Sequence, residues 1–217
     1  MQDASRLVLV TVASAASSTG TLRLFERPRG DAHWRSVKSA ETVMVGRKGV
    51  AWSRAFRHLA SNNEPIKVEG DDRSPAGIYR VGRPFGFAAS SLVDYLRLDS
   101  DSVCVEDPVS PAYNKFASRR AVGLSVGNEG MRATPLYRRG LVVDYPTDAA
   151  NKAGSCIFIH VWRRPGSGTA GCVTMPEKRV AALQAFANRH STVVAILPES
   201  ALGRLAGCLP PMMLGAR

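Results

Sequence analysis

Two side chains able to share covalent chemistry stand twelve residues apart, His160 near the end of a short apolar run and Cys172 at the end of Thr169-Ala170-Gly171-Cys172. The run, Ile157 to Trp162, is β-branched and aromatic and predicts a buried strand. Pro165-Gly166-Ser167-Gly168 predicts a turn that returns the chain, so that Cys172 faces the strand again. A free thiol, with a pKa near about 8.5, is mostly protonated at neutral pH; a neighbouring imidazole lowers that pKa and collects the proton. Gly171 has no Cβ, which permits a sharp turn whose N–H groups can face a substrate carbonyl oxygen, an oxyanion-hole geometry. The alternative at this level is a buried cysteine acting as a small hydrophobe.

The elements that must position this pair are mostly short strands. Leu7 to Ala13 is either the apolar core of a signal segment or a first strand; the run holds Thr11, its basic flank is Arg6 alone, and Thr21 to Arg27 alternates as a partner strand would. A strand is therefore expected, with Ser17 to Gly20 as its hairpin turn. His33 to Val37 and Glu41 to Val45 read as further strands, Gly46 to Gly49 as a turn, and Ser53 to Leu59 as one helical turn. A strand is expected over Gly77 to Val81, broken by Pro84-Phe85-Gly86-Phe87, with a weaker one in Tyr95 to Val105 and another over Gly140 to Tyr145. The run Arg119 to Arg139 carries little periodicity. A loop of that length usually serves a site, so residues 106–139 are expected to form a lid.

The clearest helix covers Pro176 to His190, with Thr174 as N-cap, Pro176 in the first turn, and Val180, Leu183 and Phe186 at helical spacing. Its positive end, four residues past Cys172, is expected to point back at the thiolate and stabilise it.

At 217 residues the chain is long enough for one sizeable core; a single domain over 1–217 is expected. No apolar stretch has the length of a membrane span. The net charge is +11, with +5 from residues 1–70, zero from 71–149 and +6 from 150–217. Such a field favours polyanions, either nucleic acid or an anionic wall. Basic residues run no longer than pairs and lack aromatic interleaving, which argues against nucleic acid. Four histidines and four cysteines show no metal spacing, so neither a metal nor an organic cofactor is called for. With Cys172 free, Cys104, Cys156 and Cys208 allow at most one disulfide; Cys156, inside the strand run, is expected to be simply buried.

The segment His160 to Cys172 resembles the catalytic motif of the YkuD-type L,D-transpeptidases, a strand histidine followed by Ser/Thr-His-Gly-Cys. Gly70 to Gly82, with Ser74-Pro75-Ala76-Gly77-Ile78-Tyr79, resembles that family's strand entry, and Asp107 to Asn114 and Val142-Val143-Asp144-Tyr145 resemble one of its branches. Two positions depart: Ala170 stands where the family has a second histidine, and Thr174 where an arginine often follows the cysteine. The resemblance implies a mainly β fold of two packed mixed sheets, with a helix after the catalytic loop. It also implies peptidoglycan cross-linking through a Cys172 thioester, with His160 as base and Gly171 at the oxyanion. Further implications are a monomer in the periplasm or cell envelope, stem peptides as partners, and a role in wall biogenesis and cell shape. Expected substrate contacts are Thr169, Trp162, Arg163, Tyr145, Arg73, Tyr113 and Asn114. An L,D-carboxypeptidase or other cysteine peptidase, and a non-catalytic wall-binding module, remain open alternatives.

Overall fold

The computed structural model describes residues 3–28, 33–37, 39–61 and 63–210. Met1 and Gln2 of the ambiguous first segment, and the tail beyond Pro210, lie outside these.

The described residues form strands β1 (Arg6–Val12), β2 (Thr19–Glu26), β3 (Arg35–Ser36), β4 (Glu41–Met44), β5 (Val50–Trp52), β6 (Ser74–Gly86) and β7 (Leu96–Arg97). β8 (Ser102–Val105), β9 (Phe116–Ser118), β10 (Asn128–Gly130), β11 (Gly140–Asp144), β12 (Phe158–Val161), β13 (Val173–Met175) and β14 (Thr192–Pro198) follow. The helices are α1 (Arg119–Val122) and α2 (Glu177–Ala187), with 3₁₀ turns at Arg54–Leu59, Pro135–Arg138 and Glu199–Leu205.

The expectation of two packed sheets is corrected. The strand order β1-β14-β6-β11-β12-β13-β4-β2 returns to its start because β2 also pairs with β1, from Arg6 opposite Glu26 to Val12 opposite Gly20. Eight strands thus close a mixed barrel, leaving no open edge. β1 and β14 are parallel neighbours and read as unbroken apolar runs because the flanking structure covers both their faces. β2 is covered on one face and alternates accordingly. A separate three-stranded sheet, β10-β8-β9, stands beside the barrel.

Three local expectations also change. β6 runs through Pro84 without breaking. Pro84 lies opposite Leu141 beside a register shift in the β6–β11 ladder, a place where a missing N–H is tolerated. The third strand shrinks to Arg35–Ser36, and the run Arg119 to Arg139 contains α1, β10 and a 3₁₀ turn instead of plain loop. Thr174 does not cap α2: it belongs to β13, and Pro176 holds the cap position without a side-chain bond.

α2 packs behind the β11–β12 end of the barrel, burying Val180, Leu183 and Phe186. Its buried Gln184 donates from Nε2 to the carbonyls of Phe85 (3.0 Å) and Gly140 (2.7 Å), tying the helix to β6 and β11 at once. A second apolar cluster fills the space between barrel and small sheet. Phe158 is its centre, with ring centroids 5.1 Å from Phe85 and 5.2 Å from Phe116, and Cys104, Cys156 and Cys172 belong to it.

Candidate functional site

Side chains alternate across β12, so Ile159 enters the barrel core while Phe158 and His160 face the small sheet. β13 runs parallel to β12 with Val173 opposite Ile159 and Thr174 opposite His160. Cys172, one residue before β13, is therefore level with Phe158 on the same face as His160. Strand spacing and rise put the Cα positions of Cys172 and His160 about 8 Å apart on the diagonal. Both line one cleft of about 780 Å³, together with Gly171, Thr169, Thr174 and Arg163.

Both groups have backbone partners in the cleft. The Cys172 thiol donates to the Cys156 carbonyl at 3.4 Å, and no hydrogen bond joins it to His160 among the described residues. His160 Nδ1 lies 2.9 Å from the Val161 carbonyl, which can only accept, so Nδ1 carries the proton and Nε2 the lone pair. The ring of Tyr137 packs 4.8 Å from the imidazole.

Burial governs both ionisations. His160 is held at about 4 by desolvation, against which the Val161 and Leu136 carbonyls favour the imidazolium. Desolvation pushes the Cys172 thiol well above its ordinary range, helped by Glu129 and Glu106, while the Phe158 N–H and Lys67 act in the opposite direction. The resting pair is thus neutral thiol and neutral imidazole. The α2 macrodipole does not reach the sulfur, because the three residues of β13, about 10 Å of strand, intervene.

The loop before Cys172 is built by Thr169. Its hydroxyl donates to the Cys172 carbonyl at 2.6 Å and accepts from the Gly171 N–H at 3.0 Å. Ser74 Oγ also donates to the Cys172 carbonyl (3.3 Å), tying the start of β6 to the same loop. Gly171 serves close approach more than turning: a Cβ there would lie 3.1 Å from Ile157 Cδ1. Its N–H is already held by Thr169, whereas the Cys172 N–H forms no hydrogen bond within the described residues.

Of the other residues singled out from sequence, Arg163 lies exposed at the cleft rim with Arg47 and Arg164. Trp162 lines an adjacent hollow with Leu136 and Pro135. Tyr145 is core, 3% exposed, its hydroxyl donating to the Ala153 carbonyl at 2.6 Å. The Arg73 guanidinium is directed to the backbone carbonyls of Ala15, Lys48 and Val50 instead of the cleft. Tyr113 and Asn114 stand behind the cleft wall. Tyr113 donates to Glu69 at 2.7 Å, and Asn114 Oδ1 accepts the Cys156 N–H at 2.8 Å.

Cys156 is buried as expected, but it is not an isolated thiol and lies outside β12. It forms a disulfide with Cys104 of β8, leaving Cys172 and exposed Cys208 free. The bond fits an oxidising compartment. Sequence reasoning also missed Glu106, Glu129, Lys67, Leu136 and Tyr137, all in the cleft wall. They come from segments far apart in the chain, and no spacing signal joins them. Among the described residues, no group of three or more His, Cys, Asp or Glu is placed to hold a metal, and no helix is long and apolar enough to cross a membrane.

Residues 17–196 match the YkuD family, described as an L,D-transpeptidase catalytic domain. The chain belongs to this family. YkuD domains act on cell-wall peptidoglycan and are typically cysteine L,D-transpeptidases. Similar solved structures include the helical cell shape determining protein Pgp2 from Campylobacter jejuni, at 16% identity and a TM-score of 0.47 over 89% of this chain and 48% of that one. Bd1075 from Bdellovibrio bacteriovorus is similar at 16% identity and a TM-score of 0.44, over 89% and 48%. This YkuD chain spans about half the length of both. No curated protein matches it.

Proposed function

We propose that this YkuD chain is a peptidoglycan L,D-transpeptidase working through a Cys172 thioester in the periplasm or cell envelope, with residues 1–217 as one catalytic domain and 106–139 as a lid. The observation that carries this reading is the placement of Cys172 and His160 on one face of the parallel β12–β13 pair, in one cleft of a family whose members use such a cysteine.

In the reaction, His160 Nε2 takes the thiol proton as the sulfur attacks the carbonyl carbon of the stem's L,D peptide bond. Negative charge gathers on the carbonyl oxygen. The free Cys172 N–H is the first donor for it, and the Gly171 N–H a second if Thr169 releases it. The C–N bond breaks, His160 returns the proton to the leaving D-alanine amine, and the acyl group stays on sulfur. An acceptor amine from another stem then attacks the thioester; His160 takes its proton and gives it to the departing sulfur, restoring the thiol. Cleft burial removes the charged resting pair, so ionisation follows substrate entry. Arg163, Arg164 and Arg47 at the rim suit the stem's carboxylates.

Incubation with disaccharide-tetrapeptides, followed by mass spectrometry, tests the reading. A cross-linked dimer and a Cys172 acyl adduct are expected, both lost in Cys172→Ala. Trimmed tripeptide without dimer would replace transpeptidation with hydrolysis, and an unreacted substrate would remove the enzymatic reading.

A further inference from the structure

Beside the cleft of Cys172 and His160 lies a second hollow, of about 390 Å³, that shares Leu136 and Arg163 with it. Its position follows from the β12–β13 ladder. Val161 stands opposite Met175, and the Trp162 N–H continues the ladder by donating to the Met175 carbonyl at 2.9 Å. Trp162 is therefore two positions beyond His160 and four beyond the level of Cys172. At about 3.3 Å per residue and about 4.8 Å between strands, its Cα is about 14 Å from that of Cys172. The hollow's walls are largely apolar, with Trp162 and Leu136 half-buried and Pro135 exposed. Its polar side chains are donors without acceptors. Among the described residues the Trp162 indole N–H has no partner, and it is open to solvent. Arg163, exposed on the far side, forms neither an ion pair nor a side-chain hydrogen bond among them. Thr134 Oγ1 accepts from the Leu136 N–H at 3.3 Å, which leaves its own O–H to give. No carboxylate lines the hollow among the described residues.

We propose that this hollow is a saccharide subsite, in which Trp162 is the platform for the N-acetylated sugar that carries the donor stem. An aromatic wall surrounded by donors suits a ring with one apolar C–H face and a rim of hydroxyl and carbonyl acceptors. An ammonium finds no carboxylate here, and a wholly apolar occupant would leave the donors unused. The reach also agrees. The acyl-transfer reading, on which the donor's direction rests, leaves a tripeptide on the sulfur, and three extended residues span about 10 Å. The linker between stem and sugar covers the remainder. The stem then runs along β12 beyond His160, past the shared wall of Leu136 and Arg163. The sugar lies away from the bonds that change, so its contact is the same before and during bond formation; it lowers KM and leaves kcat alone.

Titration with N,N′-diacetylchitobiose, a stem-free disaccharide of N-acetylated sugars, tests the subsite without any turnover. By NMR the Trp162 indole N–H signal, assigned with Trp162→Phe, is expected to shift. Those of Trp34, under Arg27, and Trp52, bonded to Glu64, are expected to stay. An unmoved Trp162 signal overturns the subsite. Acylation of Cys172, followed by intact mass, then compares a disaccharide-tetrapeptide with the free tetrapeptide. The sugar-bearing donor is expected to have a kcat/KM about tenfold higher, the size of one good aromatic contact, with the whole difference in KM. Trp162→Ala removes that difference. Equal kcat/KM for the two donors in the wild type, a comparison that needs no variant, overturns the proposal, as does a difference that survives Trp162→Ala. An advantage confined to resolution of the thioester puts the acceptor's sugar in the hollow and overturns the donor assignment. If neither donor acylates Cys172, the transpeptidase reading falls, while the indole shift still decides the subsite.

Discussion

Opening the Cys104–Cys156 disulfide is expected to loosen the cleft and destabilise the whole chain. The bond spans 52 residues of sequence, and in the chain-entropy view a loop of that length restrains the unfolded state by about 4 kcal/mol at 25 °C. For a chain of this size that corresponds to a fall of roughly 10 °C in Tm. The local effect follows from Cys156 itself. Its backbone sits at φ 54°, a left-handed conformation that costs a non-glycine residue of order 1 kcal/mol and persists only where its surroundings enforce it. Two constraints enforce it here, the bond to Cys104 and the N–H held by Asn114. With the bond open, Cys156 can relax, and its carbonyl, the acceptor for the Cys172 thiol, moves with it. Thiol counting in denaturant should give two groups before reduction and four after. Urea unfolding should show the wild type destabilised by reductant and a Cys104→Ala/Cys156→Ala variant unaffected by it, with faster alkylation of Cys172 in both loosened forms. Four thiols before reduction, or coincident midpoints for oxidised and reduced wild type, would refute the reasoning.

Two further outcomes follow from buried charge. Because His160 titrates at about 4 in the fold and near its ordinary 6.5 when unfolded, the unfolded chain binds the extra proton between these values. Its stabilising effect is present above pH 6.5 and is lost as pH falls, reaching about 3 kcal/mol near pH 4. Glu106, raised to about 7, has the opposite slope between pH 4.5 and 7, so the comparison belongs in a Glu106→Gln background. There His160→Gln should flatten the urea midpoint between pH 6.5 and 4, and an unchanged slope would contradict the burial argument. Asp71→Ala strips the counter-ion from Lys67, whose side chain is 2% exposed, and should cost roughly 3–5 kcal/mol by urea unfolding. Pairing it with Lys67→Met should recover much of that loss; a single variant within about 1 kcal/mol of wild type would show the ammonium reaching water.

What could be read from the residues was local or periodic. The β12-turn-β13 segment is short enough for Cys172 to return to His160, the apolar runs of β1 and β14 announce burial, and the 3.6 spacing of Val180, Leu183 and Phe186 marks α2. What could not be read depends on which strands pair. Closure of the barrel rests on β2 choosing both β1 and β4, and alternation within β2 is the same for an open sheet. The acidic wall needs β10 to find β8 across more than twenty residues, and three cysteines offer three equivalent pairings until that sheet docks. Thr174 shows the ambiguity within one residue, since a threonine before Met-Pro and a helix is as good a cap as a strand residue, and only the ladder to His160 decides.

That ladder is also where fold and chemistry are coupled most tightly. Strand side chains alternate with period two, so the pairing that sends Ile159 and Val173 into the barrel necessarily turns His160, Cys172 and Thr174 to the cleft. A slip of one residue would expose the two core side chains and bury the imidazole and thiol in a space filled by Leu9, Val43 and Ile196. The hydrophobic free energy that holds the barrel register therefore holds the candidate catalytic pair as well. Apolar substitutions at Ile159 or Val173 that keep volume should leave Cys172 alkylation unchanged, whereas a polar residue at either position should disturb the thiol without touching it.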